Sequence, residues 1–177
     1  MRLLSFVAAV IACAGSALPA WSHEATSKGV TVAHPWARAT PGGATVGGAY
    51  LEIKTADGTA DRLISLQSPA AGRVEIHTHI MDGDVMKMRR LDVLDVGPGQ
   101  SKVLKPGGDH VMLFDLKQPL KEGDLVKLTL VFEKAGPIDV QATVEPVGAT
   151  GPHGMAAQPT DGGAETGSGD RGAHKHQ

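Results

Sequence analysis

The sequence predicts an all-β protein: a single antiparallel Greek-key β-sandwich domain of about seven to nine strands. Short alternating or β-branched runs recur along the chain, separated by clusters of Gly, Pro and Asp. No run with a helical period is long enough to compete with this pattern. The predicted strands, in chain order, are GVTVAH, GAYLEIK, RLISLQ, VEIHTHI, VMKMRRL, HVMLFDL, LVKLTLVFE and IDVQATVEPV.

Length and charge exclude several classes of protein. A chain of 177 residues suits one ordinary domain with terminal extensions. Its 17 Lys and Arg nearly balance its 19 Asp and Glu. Because no large basic surface is available, we expect neither nucleic acid nor anionic lipid as a partner. We also expect a monomer.

The first 22 residues resemble a secretory signal peptide. One positive charge precedes a short apolar run, and small residues at Ala20 and Ser22 frame a cleavage site, with cleavage after Ala20 as the alternative. The apolar run is too short to span a bilayer, so we expect export to the periplasm without membrane insertion. The only cysteine, Cys13, sits in a poor match to a lipoprotein box, so we expect it to leave with the signal.

The remaining chain divides into two regions. Residues 23–148 contain all the predicted strands and form the expected domain. Residues 149–177 are rich in Gly and small polar residues, and Met155 is their only apolar side chain larger than Ala or Pro. Such a segment cannot bury enough surface to fold, so a disordered C-terminal tail is expected.

The segment EIHTHIMDGDVMKM, residues 75–88, concentrates His and Met in one predicted hairpin. With Asp82-Gly83 as a type I′ turn, His79 would face Met86 and His77 would face Met88. Alternation would place these four side chains on one face, while Val74, Ile76, Thr78 and Ile80 point to the core.

A second pair, His110 and Met112, is spaced to share one face of a later strand. If that strand packs beside the hairpin, a site of two His and two Met forms. Met more often fills gaps in a core, and His is more often an ordinary polar residue. Imidazole and thioether without carboxylate or thiolate is nevertheless a soft ligand set, which among biological metals suits Cu(I) best.

The spacing of these residues resembles a known family. His77, ten residues, Met88, twenty-one residues, His110, one residue and Met112 reproduce the motif of the periplasmic copper chaperones called PCu(A)C, formerly a domain of unknown function. The segments PWARATP and GGAYL, and the PGG that precedes His110, also resemble that family. The resemblance extends over about residues 29 to 147.

The resemblance implies a cupredoxin-like sandwich that binds Cu(I) through His77, Met88, His110 and Met112. It also implies delivery of copper toward cytochrome oxidase, with an oxidase subunit or a Sco-type protein as the partner. Thioethers, unlike thiolates, cannot form disulfides, so such a site stays usable in an oxidising compartment. A site that must release its metal is expected near the surface.

Other side chains are secondary candidates. His79, Met81 and Met86 lie beside the main set and either support it or only line it. The tail has possible ligands for Cu(II), the alternative being an inert solubilising segment, and the expected mature N-terminus adds a weaker one. These terminal candidates are His23, His153, Met155, His174 and His176.

Four functions can be compared on the sequence alone. An electron-transfer cupredoxin needs a Cys thiolate, which the expected mature chain lacks. An enzyme is not expected, because no nucleophile elbow, Ser-His-Asp pattern or P-loop is present. A copper chaperone and a copper storage or resistance protein both remain, since their binding sites look alike.

Overall fold

The computed structural model describes residues 24–83 and 85–152, and within them it contains strands and no helix. No helix in this part of the chain could therefore cross a membrane. The eleven strands are β1 Ala25–Ser27, β2 Val30–Arg38, β3 Val46–Thr55, β4 Asp61–Gln67, β5 Ala71–Asp82, β6 Val85–Leu91, β7 Leu94–Val96, β8 Ser101–Leu104, β9 His110–Leu116, β10 Leu125–Phe132 and β11 Gly136–Glu145.

All eight predicted strands are present, and the all-β prediction is confirmed. The sequence missed β1, β7 and β8, which are three or four residues long. Runs this short contain at most two alternations, so they carry almost no periodic signal.

The strands form one hydrogen-bonded sheet in the order β6-β5-β9-β3-β2-β11-β10-β4-β7, with β1 added to β2 and β8 added to β3. Neighbouring strands are antiparallel except for β2 and β11, which run parallel and pair Trp36 with Thr143. The predicted antiparallel sandwich thus contains one parallel pair, which the sequence did not indicate. The β10–β11 hairpin places the last strand of the chain beside the early strand β2.

The core lies between the two layers of the folded sheet. Along β10, Val126, Leu128, Leu130 and Phe132 are buried, in the alternation expected for a strand with one face in the core. They belong to one cluster with residues of strands far from β10 in the order, such as Leu113 of β9. The sheet must therefore fold over itself, which gives the cupredoxin-like sandwich.

A bend in β2 carries an aromatic pair away from this core. The pairing of β2 with β3 shifts register between Ala33 and Trp36, and His34 at the bend has φ 50°. Beyond the bend, Trp36 stacks on Tyr50 of β3, with ring centroids 4.3 Å apart, and both side chains are buried. They are absent from the core cluster, so Trp36 holds β2 against β3 outside the main core.

The β5–β6 hairpin extends beyond its neighbour. The last residue of β5 that pairs with β9 is His77, and residues 78–82 pair with β6 alone. The prediction that Ile80 belongs to the core is wrong, because its side chain is 36 % exposed in this projecting part. The tip is therefore open to solvent on both faces.

Candidate metal centre

The register of the hairpin differs from the sequence prediction by two residues. Met88 pairs with His79 and not with His77, and Met81 pairs with Met86. Asp82 is the last residue of its strand and pairs with Val85, so the connection begins at Gly83, with φ 63°. A shift of two preserves every face, so the predicted His and Met patch survives with different partners.

The two halves of the predicted site do come together. Strand β9 lies beside β5, and the pairing places His110 opposite His77 and Met112 opposite Glu75. The imidazole centroids of His77 and His110 are 6.2 Å apart. His79 is closer, with its ring centroid 5.1 Å from that of His110.

Met88 can reach both hairpin histidines. It is the direct partner of His79 and the diagonal neighbour of His77. Cβ atoms of direct pairs lie about 4.5 to 5.5 Å apart and diagonal neighbours about 7 to 8 Å apart, within reach of long side chains. The unbranched Met side chain is flexible enough to serve either position.

The loop before β9 orients His110. The Lys105 N–H donates to the Asp109 carbonyl at 2.7 Å, and the Gly108 N–H donates to the Lys105 carbonyl at 3.0 Å. This tight turn places the Gly108 carbonyl 2.8 Å from Nδ1 of His110. If Nδ1 donates to that carbonyl, Nε2 is the nitrogen with a lone pair for a metal.

His110 is suited to remain neutral. Its side chain is buried, and this burial lowers its pKa, as do the nearby His79 and His77, while the Gly108 hydrogen bond and Asp109 act in the opposite direction. The net pKa lies below the ordinary value for histidine. A neutral imidazole is the form that binds metal.

Glu75 orients the second imidazole, a role that the four-ligand motif does not indicate. Its Oε2 lies 2.8 Å from Nε2 of His77, and its other oxygen accepts from Arg73 at 2.6 Å and from Arg90 at 3.3 Å. The hydrogen bond from His77 lowers the pKa of Glu75 most; burial opposes this and the two arginines add to it. A carboxylate behind a histidine fixes the ring and its tautomer.

Because Nε2 contacts Glu75, Nδ1 is the ring nitrogen of His77 that is left for a metal. Within the described residues this Nδ1 is buried and has no hydrogen-bond partner, and the same is true of Nδ1 of His79. Buried ring nitrogens are usually satisfied, so two such atoms beside His110 need an explanation. The signal for Glu75 was available in the sequence, because it precedes His77 by two residues and so shares its face.

The methionines occupy the same face of the sheet. Met112 is partly buried, whereas Met88 is 54 % exposed, Met86 61 % and Met81 64 %. The core cluster contains no methionine. All four methionines of the described residues therefore lie on the histidine face and outside the core, unlike the usual use of Met as core filler.

Several predicted features are not tested by the described residues. Within residues 24–83 and 85–152, no three His, Cys, Asp or Glu side chains are grouped to hold a metal. The participation of methionine sulfur in a site on this face stays a prediction. His23, His153, Met155, His174 and His176 lie outside the described residues, as do Cys13 and the predicted signal peptide.

Solved structures similar to this chain define its class. The copper-bound PCuAC domain from PmoF2 matches with a TM-score of 0.62 and 31 % identity, over 71 % of this chain and 99 % of that one. Cu(I)-DR1885 from Deinococcus radiodurans, solved in solution, matches with a TM-score of 0.54 and 26 % identity, over 75 % of this chain and 83 % of that one. The fold is that of a PCuAC domain.

The sequence also matches a family described as "Putative lipoprotein LpqE-like" over residues 30–144, and the chain belongs to this PCuAC family. The relative "Putative lipoprotein Lxx21020" of Leifsonia xyli subsp. xyli is 30 % identical over 119 residues, 66 % of this chain and 70 % of that protein. The uncharacterized protein RP573 of Rickettsia prowazekii is 33 % identical over 103 residues, 56 % of this chain, which spans 57 % of that protein's length. The family resemblance stated from the sequence is confirmed.

Proposed function

We propose that this protein is an exported copper chaperone that binds Cu(I) through His77, Met88, His110 and Met112. The observation that carries the proposal is the placement of all four described methionines on one solvent-accessible face together with His77, His79 and His110. The similarity to a copper-bound PCuAC domain and to Cu(I)-DR1885 supports it.

The chemistry of the ligand set suits Cu(I). Two imidazoles and two thioethers are neutral and soft. They do not provide the tetragonal set of nitrogen and oxygen ligands that Cu(II) prefers. Nε2 of His110 and Nδ1 of His77 are the ring nitrogens left free by Gly108 and Glu75. Because Glu75 is also paired with Arg73 and Arg90, its charge is already balanced and does not make the site a hard one.

The same geometry suits release of the metal. His110 lies at the buried side of the site, whereas Met88 is more than half exposed on the hairpin. A recipient protein can approach from the side of Met88 and replace the ligands of the copper ion one at a time. No electron or proton need move, because neutral ligands exchange around an ion that remains Cu(I).

Delivery toward a cytochrome oxidase copper site is part of the proposal, with an oxidase subunit or a Sco-type protein as recipient in the periplasm. Export is supported by the lipoprotein description of the matched family. The alternative function is a periplasmic copper storage or resistance protein, which would use the same ligands without a dedicated recipient. We propose a carrier rather than an enzyme.

X-ray absorption of the Cu(I)-loaded protein tests the ligand set. We expect mixed nitrogen and sulfur ligation, with the sulfur contribution from this site lost in the Met88→Leu, Met112→Leu double variant, because Leu preserves volume without the thioether. The same experiment on Met155→Leu is the control, since Met155 lies outside the proposed site. A spectrum with only nitrogen and oxygen neighbours in the wild type would refute the assignment.

A further inference from the structure

The tip of the β5–β6 hairpin contains a second pair of thioethers that the four-ligand site does not use. Met81 and Met86 are direct cross-strand partners, one row farther out than the His79 and Met88 pair. Direct partners have Cβ atoms about 4.5 to 5.5 Å apart and share a face. The two sulfurs can therefore approach one ion.

Packing does not explain these two side chains. They are 64 % and 61 % exposed, and they lie where β5 pairs with β6 alone. A methionine that serves as core filler is surrounded by apolar neighbours, whereas these two leave most of their surface in water. Core packing therefore does not account for methionine at these two positions.

Charge is arranged to leave this face neutral. Lys87 and Arg89 of β6 are partners of Ile80 and Thr78, so they belong to the opposite face, where Lys87 forms an ion pair with Asp82. On the methionine face, the two outer rows contain only Met81, Met86, His79 and Met88. A Cu(I) ion at the tip would therefore meet no fixed positive charge on its own face of these rows.

We propose that Met81 and Met86, together with Met88, form an outer Cu(I) site through which the ion reaches the inner one. This inference rests on the proposed function of the inner site. Met88 belongs to both sites, so the ion moves inward by exchanging Met81 and Met86 for His77, His110 and Met112 while Met88 stays bound. Cu(I) keeps its oxidation state throughout, and the incoming and leaving ligands are all neutral.

The test is an anaerobic titration of the full chain, labelled with ¹³C at its methionine methyl groups, with Cu(I) and in parallel with redox-inert Ag(I). We expect the Met88 and Met112 methyl resonances to shift with the first equivalent and those of Met81 and Met86 with the second. The Met155 methyl reports separately on the tail. The Met81→Leu, Met86→Leu variant should bind the first equivalent with unchanged affinity but load it more slowly than the wild type, and it should lose the second equivalent from the hairpin.

The control variant is Ile80→Leu, Val85→Leu, which changes the same tip on its opposite face and should keep both equivalents. The outer site is refuted if the Met81 and Met86 resonances stay fixed or if they shift together with the first equivalent. It is also refuted if the Met81→Leu, Met86→Leu variant keeps the second equivalent on the hairpin. A first equivalent that leaves Met88 and Met112 unshifted would instead refute the proposed function itself.

Discussion

Replacing Glu75, whose carboxylate contacts His77, tests how much this carboxylate contributes to the proposed copper affinity. Glu75 is 8 % exposed and accepts from His77, Arg73 and Arg90 at 2.8, 2.6 and 3.3 Å. Removing such a partner of a ligating histidine typically costs 10- to 100-fold in metal affinity. Glu75→Gln keeps the shape and one acceptor oxygen but loses the charge, so we expect about a tenfold weaker Kd for Cu(I), or about 1.4 kcal/mol.

Glu75→Ala removes the acceptor as well, and we expect a loss near the upper limit, about 100-fold. The assay is competition for Cu(I) against a chromogenic chelator under anaerobic conditions. Stability should change little in Glu75→Gln, because Gln keeps an oxygen that can accept from Arg73 and Arg90, and both arginines are more than half exposed and so remain hydrated.

The matched control is Glu52→Gln, which changes another carboxylate that is hydrogen-bonded and ion-paired, to Ser101 and Lys54. We expect its Cu(I) affinity to equal that of the wild type. Unchanged affinity in both Glu75 variants, or an equal loss in Glu52→Gln, would show that Glu75 does not act through His77.

Two further predictions concern stability and delivery. Burial of Asp61 raises the pKa of its carboxyl group, but hydrogen bonds from the backbone N–H groups of Arg62, Lys134 and Ala135 outweigh this effect, so the net pKa is lowered. The contribution of Asp61 to stability is therefore fully present above the ordinary Asp pKa and is lost as the pH falls through the lowered pKa. We expect Asp61→Ala to lower the free energy of unfolding by about 1 to 3 kcal/mol at pH 7 and by less in acid, as measured by urea denaturation; an equal loss at both pH values would contradict this. Deleting the gene should lower cytochrome oxidase activity under copper limitation, with rescue by the wild type and not by His77→Ala, whereas unchanged activity in the deletion strain would favour storage.

The faces of the strands were predictable because alternation is a local property. The side chains of residues two apart point the same way whatever their strand pairs with, so His77 with His79, and His110 with Met112, could be assigned before any partner was known. The spacing of the four proposed ligands pointed to the family for the same reason, since it needs only sequence distances.

The register could not be obtained in this way. Asp82-Gly83 was expected to occupy both central positions of the turn, but Asp82 remains in the strand and the connection begins at Gly83. A shift of two residues leaves the pattern of faces unchanged, so periodicity cannot detect it. Pairing His79 with Met88 was therefore decided by the folded hairpin.

The sequence by itself determined that the chain forms strands, which side chains share a face, and that soft ligands are concentrated at two chain positions. Only the tertiary structure decided that His77 lies opposite His110, that Glu75 binds His77, and that the hairpin tip projects past β9. The physical reason is that alternation follows from the geometry of one strand, whereas these contacts depend on where three strands stop and how each aligns with its neighbour.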